Sequence, residues 1–176
     1  MSIIKMTSSE KRPLKYMQEH IEYLTAPSKF YGAEKPLIGT SNCITHDPSK
    51  VFEEMCMVKS VLNKSRGRQY IECIISPGPT DEYHTDDEFL ALAKEISDTL
   101  FAEFQTVYVV HKDSEYRHIH ICVNSVSPFK NRKYSCSRSD LCKMKQKAND
   151  ILMKHGFSIC KMSLDIDKSD AIQNTN

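Results

Sequence analysis

The segment 118–124 constrains the fold more than any other stretch, because its side chains alternate strictly between two chemical kinds. The apolar members are Ile119, Ile121 and Val123, and the polar members are His118, His120, Cys122 and Asn124. Successive side chains of a β-strand point to opposite faces, so this pattern predicts a strand with an apolar core face and a polar face.

A second β-prone run, Val107–Val110, ends at His111 and is separated from His118 by the polar residues KDSEYR. A hairpin would place His111 opposite His118, with Cβ atoms roughly 4.5–5.5 Å apart, and His120 about 7 Å further along the same face. Three imidazoles could then bind one metal ion at about 2.0–2.2 Å. We interpret them as a metal site rather than as three unrelated surface histidines. Asp113 could orient a ligand imidazole or belong to the turn.

Length and composition predict one domain over 1–160, followed by a polar C-terminal tail at 161–176. No apolar run approaches the roughly 20 residues that cross a bilayer, and the first residues lack the order of a signal peptide. We therefore expect no membrane segment and a cytoplasmic location. The seven cysteines form no CxxC pair, which indicates reduced thiols; the role of Cys122 stays open.

The net charge is only +1, but the charges are segregated along the chain. Acidic residues concentrate at 81–103, whereas basic residues cluster at 59–68 and 130–147. A basic face can bind phosphates although the total nearly cancels. Each cluster could equally be a solvated surface.

Hydrophobic periodicity predicts four helices around the hairpin, one of them with two tyrosines on a single face. The first helix follows Pro13 and places Tyr16, His20 and Tyr23 opposite its apolar stripe. Asp47 should cap the second helix, Thr85 with Glu88 the third, and Ser139 the fourth, with Gly156 after its end. The remaining predicted strands are 2–6 and 69–76. Together these elements give an α+β domain.

Three segments resemble the relaxase or mobilisation nuclease family, the HUH-type single-tyrosine DNA nickases of conjugation. HKDSEYRHIHICVNSV resembles the histidine motif, IEYLTAPSK the nucleophile segment, and YIECIISPG the middle motif. The resemblance implies an antiparallel central sheet of the ferredoxin-like, palm type, with flanking helices and the histidine motif on a central hairpin. One residue departs from the pattern: relatives commonly have a histidine where this chain has Glu72.

The resemblance also implies an activity, namely metal-dependent, site- and strand-specific nicking and rejoining of DNA at a transfer origin. The reaction would pass through a 5′-phosphotyrosyl intermediate and start conjugative transfer or mobilisation of a bacterial plasmid or integrative element. Tyr23 would be the nucleophile, with Tyr16 as the alternative, and Asp113 would assist. The metal ligands would be His111, His118 and His120. The expected ion is Mn²⁺ or Mg²⁺, although zinc or nickel would suit three imidazoles in a crystal.

The expected partner is single-stranded or hairpin DNA at the transfer origin, bound by a monomer that works with an accessory relaxosome protein and a coupling protein. The candidate DNA-binding residues are Lys29, Arg68, Ser76, Asn124, Lys130, Arg132 and Lys133. Two other functions fit the histidines. One is a metal-stabilised DNA-binding module without cleavage, and the other is a three-histidine zinc hydrolase.

Overall fold

The computed structural model describes residues 3–8 and 13–160, so the expected tail at 161–176 lies outside the described residues. Within them, strands and helices are interleaved along the chain. The strands are β1 (Ile3–Ser8), β2 (Ile38–Ser41), β3 (Tyr70–Ser76), β4 (Thr106–His111) and β5 (His118–Asn124), and the helices are α1 (Leu14–Leu24), α2 (Pro48–Val61), α3 (Asp86–Leu100) and α4 (Arg138–Lys154). Short 3₁₀ turns lie at Pro27–Phe30 and Pro79–Asp81.

The strands form one antiparallel sheet in the order β1-β3-β5-β4-β2. The β4–β5 hairpin therefore lies inside the sheet, with a partner strand on each side. This confirms the predicted α+β fold with the histidine motif on a central hairpin. The first strand was predicted over 2–6; Ser2 lies outside the described residues, and the strand continues two residues further, to Ser8.

The register of the sheet separates two faces. Tyr108 pairs with Ile121 and Val110 with Ile119, and these residues point to the face that we call the core face. His111 pairs with His118, which places both on the opposite, histidine face. Helix α3 covers the core face, where the Ser97 hydroxyl meets that of Thr106 at 2.6 Å, and α4 packs against α3.

The histidine face is not a solvated surface over its whole length, which corrects the expectation of one polar face. Helices α1 and α2 lie over it, and Cys122 and Asn124 are fully buried. The Asn124 amide donates to the carbonyl oxygen of Met55 in α2 at 3.3 Å. The sheet is therefore covered on both sides, and the alternation in the sequence reflects an enclosed polar cluster at Asn124.

Local sequence determines most helix ends as expected. The Asp47 side chain caps α2, and Thr85 with Glu88 forms a capping box at α3. Helix α4 begins two residues earlier than predicted: Ser137, not Ser139, is the N-cap, because Ser137 and Asp140 complete a reciprocal capping box. Gly156 follows the end of α4 with φ +77°, a conformation that favours glycine.

Two features were not predicted from the pattern. Strand β2 is only four residues long and contains Gly39, whose missing Cβ leaves room for the Tyr108 ring that lies against it. The buried stripe of α2 contains Lys59 rather than Val58 and Leu62, and Lys59 is fully buried. Its ammonium group donates to Asn124 and lies 3.5 Å from the sulfur of Met17 in α1. Lys59 therefore links both helices to the sheet.

Replacing Lys59 with methionine should change how stability depends on pH. Burial lowers the pKa of Lys59 to about 8, so the unfolded chain holds this proton more tightly than the folded protein. The unfolding free energy of the wild type should therefore rise between pH 8 and pH 10, by roughly 2 kcal/mol from this group. Lys59→Met should be more stable at pH 7 and should lack the rise.

Denaturant unfolding followed by circular dichroism measures this difference. The matched control is Lys154→Met, which removes an exposed lysine of α4 that pairs with Glu95 and should keep the wild-type pH dependence. The same pH dependence in Lys59→Met and in the wild type would contradict a buried amine that loses its proton in this range.

Candidate active site

The three histidines predicted as metal ligands lie together at one end of the histidine face. Ring centroids are 5.3 Å apart for His111 and His118, 4.5 Å for His111 and His120, and 5.0 Å for His118 and His120. One ligand atom of each ring lies within 4.8 Å of the other two. The hairpin register produces this cluster, since it sets His111 directly across from His118 and puts His120 two residues further along.

Each ring uses one nitrogen for a contact with the protein. Nε2 of His111 lies 2.8 Å from the carbonyl oxygen of Leu24, Nδ1 of His118 lies 3.2 Å from that of Tyr116, and Nδ1 of His120 lies 2.7 Å from Glu72 Oε1. The two carbonyl oxygens can only accept hydrogen bonds, and so can the Glu72 carboxylate when it is ionised. Each of these three ring nitrogens therefore carries the proton. The second nitrogen of each ring is left without a proton, as metal ligation requires. The donor set therefore fits a divalent metal.

Burial favours the neutral form of the His111 and His118 rings. It lowers the pKa of His111 to about 4, reinforced by the nearby His120 and His118 and opposed only in part by the Leu24 carbonyl. Burial also lowers the pKa of His118. Neutral imidazole is the form that binds metal, so at pH 7 no proton has to leave these two rings before an ion is bound.

Tyr23 lies beside this cluster at the end of α1. Its ring centroid is 6.3 Å from that of His111 in an edge-on arrangement, and 54 % of the residue is exposed. The next residue, Leu24, supplies the carbonyl oxygen that His111 contacts. Tyr16 lies seven residues earlier on the same helix, roughly 10 Å back along its axis. The structure thus brings Tyr23 and the histidines together at an accessible edge.

The segment after Tyr23 is attached to the hairpin by two contacts of Lys29. The backbone N–H of Lys112 donates to the Lys29 carbonyl oxygen at 2.8 Å. The Lys29 ammonium group forms an ion pair with Asp113 at 2.6 Å and lies 4.0 Å from the centre of the Tyr23 ring. The hydrogen bond and charge of Lys29 lower the pKa of Asp113, so this carboxylate is ionised at neutral pH.

Arg117 fixes the other end of the hairpin loop, directly before His118. It donates to the carboxylates of Glu82 and Asp86, each at 3.0 Å, and to the carbonyl oxygens of Glu82 and His84. Its guanidinium group also lies 4.1 Å from the centre of the Phe89 ring. The loop that joins the first two ligands is therefore held against α3 and the segment before it.

The structure corrects the expected role of Asn124 in DNA binding. Asn124 is fully buried, and its side chain is bonded to Lys59, Gln105 and the Met55 carbonyl oxygen. It therefore has no surface to offer to DNA and instead holds α2 on the sheet. Ser76, by contrast, ends β3 on the histidine face and is partly exposed.

The predicted basic residues divide between the two ends of the sheet. Lys29 lies at the histidine end, whereas Arg68, Lys130, Arg132 and Lys133 flank the opposite end of β3 and β5. Strand β5 spans six residue steps, so the two ends are roughly 20 Å apart. Lys130 and Arg132 both form ion pairs with Glu103. Arg68 donates to the Tyr134 carbonyl oxygen at 2.6 Å.

Two residues of this site, Glu72 and His20, were not among the predicted site residues. The alternation of β3 puts Glu72 on the histidine face, yet only the register of β3 against β5 shows that it reaches His120. His20 was recognised as a neighbour of the tyrosines on α1, but its contact with Glu72 depends on how α1 crosses the sheet. No sequence spacing reveals that crossing.

Residues 23–157 match the family model described as relaxase, MobA/VirD2-like, nuclease domain. The chain belongs to the MobA/VirD2-like relaxase family. Family membership supports DNA binding, DNA nicking for mobilisation, and use of a divalent metal. The matched region of the relaxase domain begins at Tyr23 and includes all three histidines.

The fold of this relaxase domain is similar to that of a solved structure described as "Molecular Basis of Vancomycin Resistance Transfer in Staphylococcus aureus". The two align with a TM-score of 0.62 over 88% of this chain and 92% of that chain, at 13% sequence identity. No curated protein sequence matches the chain. Among the helices that the structure describes, none has the length and apolar character needed to span a bilayer.

Replacing His120 with alanine should weaken the binding of Mn²⁺ to metal-free protein. Removal of one of three ligands should cost more than the roughly 10–100-fold that loss of an outer hydrogen-bond partner costs. Isothermal titration calorimetry at pH 7.5 measures the affinity. His155→Ala is the matched control, because His155 also contacts a glutamate, Glu95 at 2.8 Å, but belongs to the α3–α4 side. Equal affinities of the His120 and His155 variants would contradict the proposed ligand set.

Proposed function

We propose that this relaxase domain nicks one DNA strand at a specific site in a transfer origin and later rejoins it, through a covalent bond to Tyr23. The observation that carries the proposal is the position of the Tyr23 ring, exposed at a helix end and 6.3 Å from the ring of His111. A nucleophile and three candidate metal ligands thus lie close enough to contact the same phosphodiester. The activity would start the mobilisation or conjugative transfer of a plasmid or integrative element.

His111, His118 and His120 would hold the metal, which we propose to be Mn²⁺ or Mg²⁺ in the cell. When bound, such an ion supplies Lewis-acid polarisation of the scissile phosphate and neutralises the charge that develops there. The protein contributes the orientation of the three rings through Leu24, Tyr116 and Glu72. Imidazole ligands favour manganese, zinc, nickel or cobalt over magnesium, so manganese fits the donor set better than magnesium.

In the proposed reaction the phenolic oxygen of Tyr23 attacks phosphorus, and the bond from phosphorus to the 3′ oxygen breaks. The products are a 5′-phosphotyrosyl protein and a DNA strand with a free 3′-hydroxyl. The phenolic proton is transferred, directly or through water, to the departing 3′ oxygen. Attack by that hydroxyl on the phosphotyrosine reverses the steps and reseals the strand.

Lys29 is placed to hold the ring of Tyr23. Its ammonium group lies 4.0 Å from the centre of the tyrosine ring, which is a cation–π contact. Asp113 holds Lys29 in this position through the 2.6 Å ion pair. We therefore propose that Asp113 is a positioning residue for Lys29 and, through Lys29, for the Tyr23 ring.

We propose two contact zones for DNA. Lys29 and Ser76 flank the scissile phosphate at the histidine end, while Arg68, Lys130, Arg132 and Lys133 contact backbone phosphates at the opposite end. The roughly 20 Å between the zones suits a strand or hairpin that crosses the domain. By family resemblance, the domain would act as a monomer with an accessory relaxosome protein and a coupling protein.

Replacing Tyr23 with phenylalanine should abolish the covalent adduct. The substrate is a labelled single-stranded oligonucleotide that carries the transfer origin of the chain's own genetic element, incubated with Mn²⁺, and the adduct is detected by denaturing electrophoresis. Binding of the oligonucleotide should stay within about threefold of wild type, since only one hydroxyl is removed. Tyr16→Phe is the matched control and should form the adduct.

Three other results would have clear meanings. Loss of the adduct in Tyr16→Phe but not in Tyr23→Phe would identify Tyr16 as the nucleophile. Cleavage without an adduct, unaffected in either variant, would favour a three-histidine hydrolase. Binding without cleavage in the wild type would favour a metal-stabilised DNA-binding module.

Replacing Lys133 with alanine should weaken DNA binding in a salt-dependent manner. Each phosphate contact contributes a slope of about 0.7 to a plot of log affinity against log salt for single strands, so the slope should fall by about that amount. Fluorescence anisotropy at several salt concentrations measures it. Lys154→Ala is the control, because Lys154 pairs with Glu95 and lies outside both zones. An unchanged slope in Lys133→Ala would contradict the proposed DNA contacts at the end of the sheet opposite the histidines.

A further inference from the structure

The carboxylate of Glu72 lies where α1 crosses the histidine face and contacts residues from three elements. Oε1 accepts a hydrogen bond from Nδ1 of His120 at 2.7 Å and lies 3.2 Å from Nε2 of His20 in α1. Oε2 accepts from the Thr7 hydroxyl of β1 at 3.3 Å. Glu72 itself is buried. One carboxylate oxygen therefore lies between a metal-ligand candidate and the helix that bears the tyrosines.

His20 contacts β3 at a second residue besides Glu72. Its ring stacks on the ring of Tyr70 with centroids 4.5 Å apart and an interplanar angle of 12°. His20 also precedes Tyr23 by three residues, less than one helical turn, so the two share a face of α1. A shift of His20 relative to the sheet would consequently move Tyr23 relative to the histidines.

Glu72 is buried among polar partners. Its two oxygens accept hydrogen bonds from His120 Nδ1 and from the Thr7 hydroxyl, and His20 Nε2 lies 3.2 Å from Oε1. A buried charge is retained only where partners compensate for the lost solvent.

We propose that Glu72 and His20 are positioning residues of the relaxase site: Glu72 orients His120 for the metal and, through His20, fixes the end of α1 so that Tyr23 faces the same ion. The inference rests on the proposed function for its second half, which concerns Tyr23. Its first half concerns metal binding alone. The hydrogen bond from His120 leaves Nε2 directed away from Glu72 and makes the ring a stronger ligand.

The first experiment tests Glu72 with Mn²⁺ alone. Glu72→Gln keeps the shape and an acceptor oxygen but removes the charge, and it should lower the Mn²⁺ affinity of metal-free protein by about 10–100-fold in isothermal titration calorimetry. Glu95→Gln is the matched control, because Glu95 contacts His155 at 2.8 Å on the other side of the sheet. Glu95→Gln should bind Mn²⁺ as the wild type does.

The second experiment tests His20 by separating binding from chemistry. His20→Phe keeps a flat ring for stacking on Tyr70 but removes the nitrogen near Glu72. Its Mn²⁺ and oligonucleotide affinities should stay within about threefold of wild type, whereas the rate of adduct formation at saturating Mn²⁺ and oligonucleotide should fall at least about 10-fold. A purely structural loss would lower the melting temperature and both affinities together.

Two results would overturn the inference. If folded Glu72→Gln binds Mn²⁺ as tightly as Glu95→Gln, the Glu72 carboxylate does not orient His120 for metal binding. If His20→Phe forms the adduct at the wild-type rate, α1 is not fixed through this contact, and this result decides the matter if Glu72→Gln does not fold. A wild-type protein that binds Mn²⁺ but never forms an adduct would refute the proposed function while the Mn²⁺ titrations still test the role of Glu72.

Discussion

The pairing of His111 with His118 across the β4–β5 hairpin is the constraint on which the rest of the site depends. A slip of one residue would turn His118 and His120 toward α3 and bring Ile119 to the polar face, because strand side chains alternate. The same pairing that packs Val110 and Ile119 into the core therefore assembles the ligands. Core packing and the clustering of the three histidines thus depend on the same strand register. Arg117 holds the hairpin loop, where a shift of register would begin.

The C-terminal end of helix α1 contacts the histidine hairpin. The last carbonyl groups of a helix lack partners within it, and here Leu24 directs one of them to His111. The chain then turns through Pro27–Phe30 and returns to β4, where Lys29 contacts both Lys112 and Asp113. Tyr23 thus directly precedes two attachments to the hairpin, at Leu24 and at Lys29, while its own side chain stays accessible. An exposed tyrosine can have a defined position here because its neighbours Leu24 and Lys29 attach the chain to the hairpin, and Lys29 also contacts its ring.

Sequence predicted the features that local rules govern. Alternation predicted the hairpin strands, spacing predicted that the three histidines cluster, and capping residues such as Asp47 and Thr85 predicted helix starts. The family resemblance supplied Tyr23, which composition alone could not separate from Tyr16. Features that depend on how elements cross were not predicted. Burial of Asn124 and Lys59 depends on α2 covering the sheet, and the Glu72 contacts depend on α1 doing so. Strand β2 was missed because four residues with a glycine show no period.

The contact between Leu24 and His111 has a consequence for how an ion and a DNA strand would influence each other. Since one carbonyl oxygen belongs to the helix end and touches a ligand ring, ion occupancy and helix-end order are linked equilibria, and linkage is reciprocal. If ion binding raises the equilibrium constant for ordering the helix end by some factor, ordering of the helix end raises the ion affinity by the same factor. Under the proposed function, a DNA strand that draws Tyr23 toward its phosphate would change the affinity for the ion by that factor, and the rate of metal exchange would report on substrate binding.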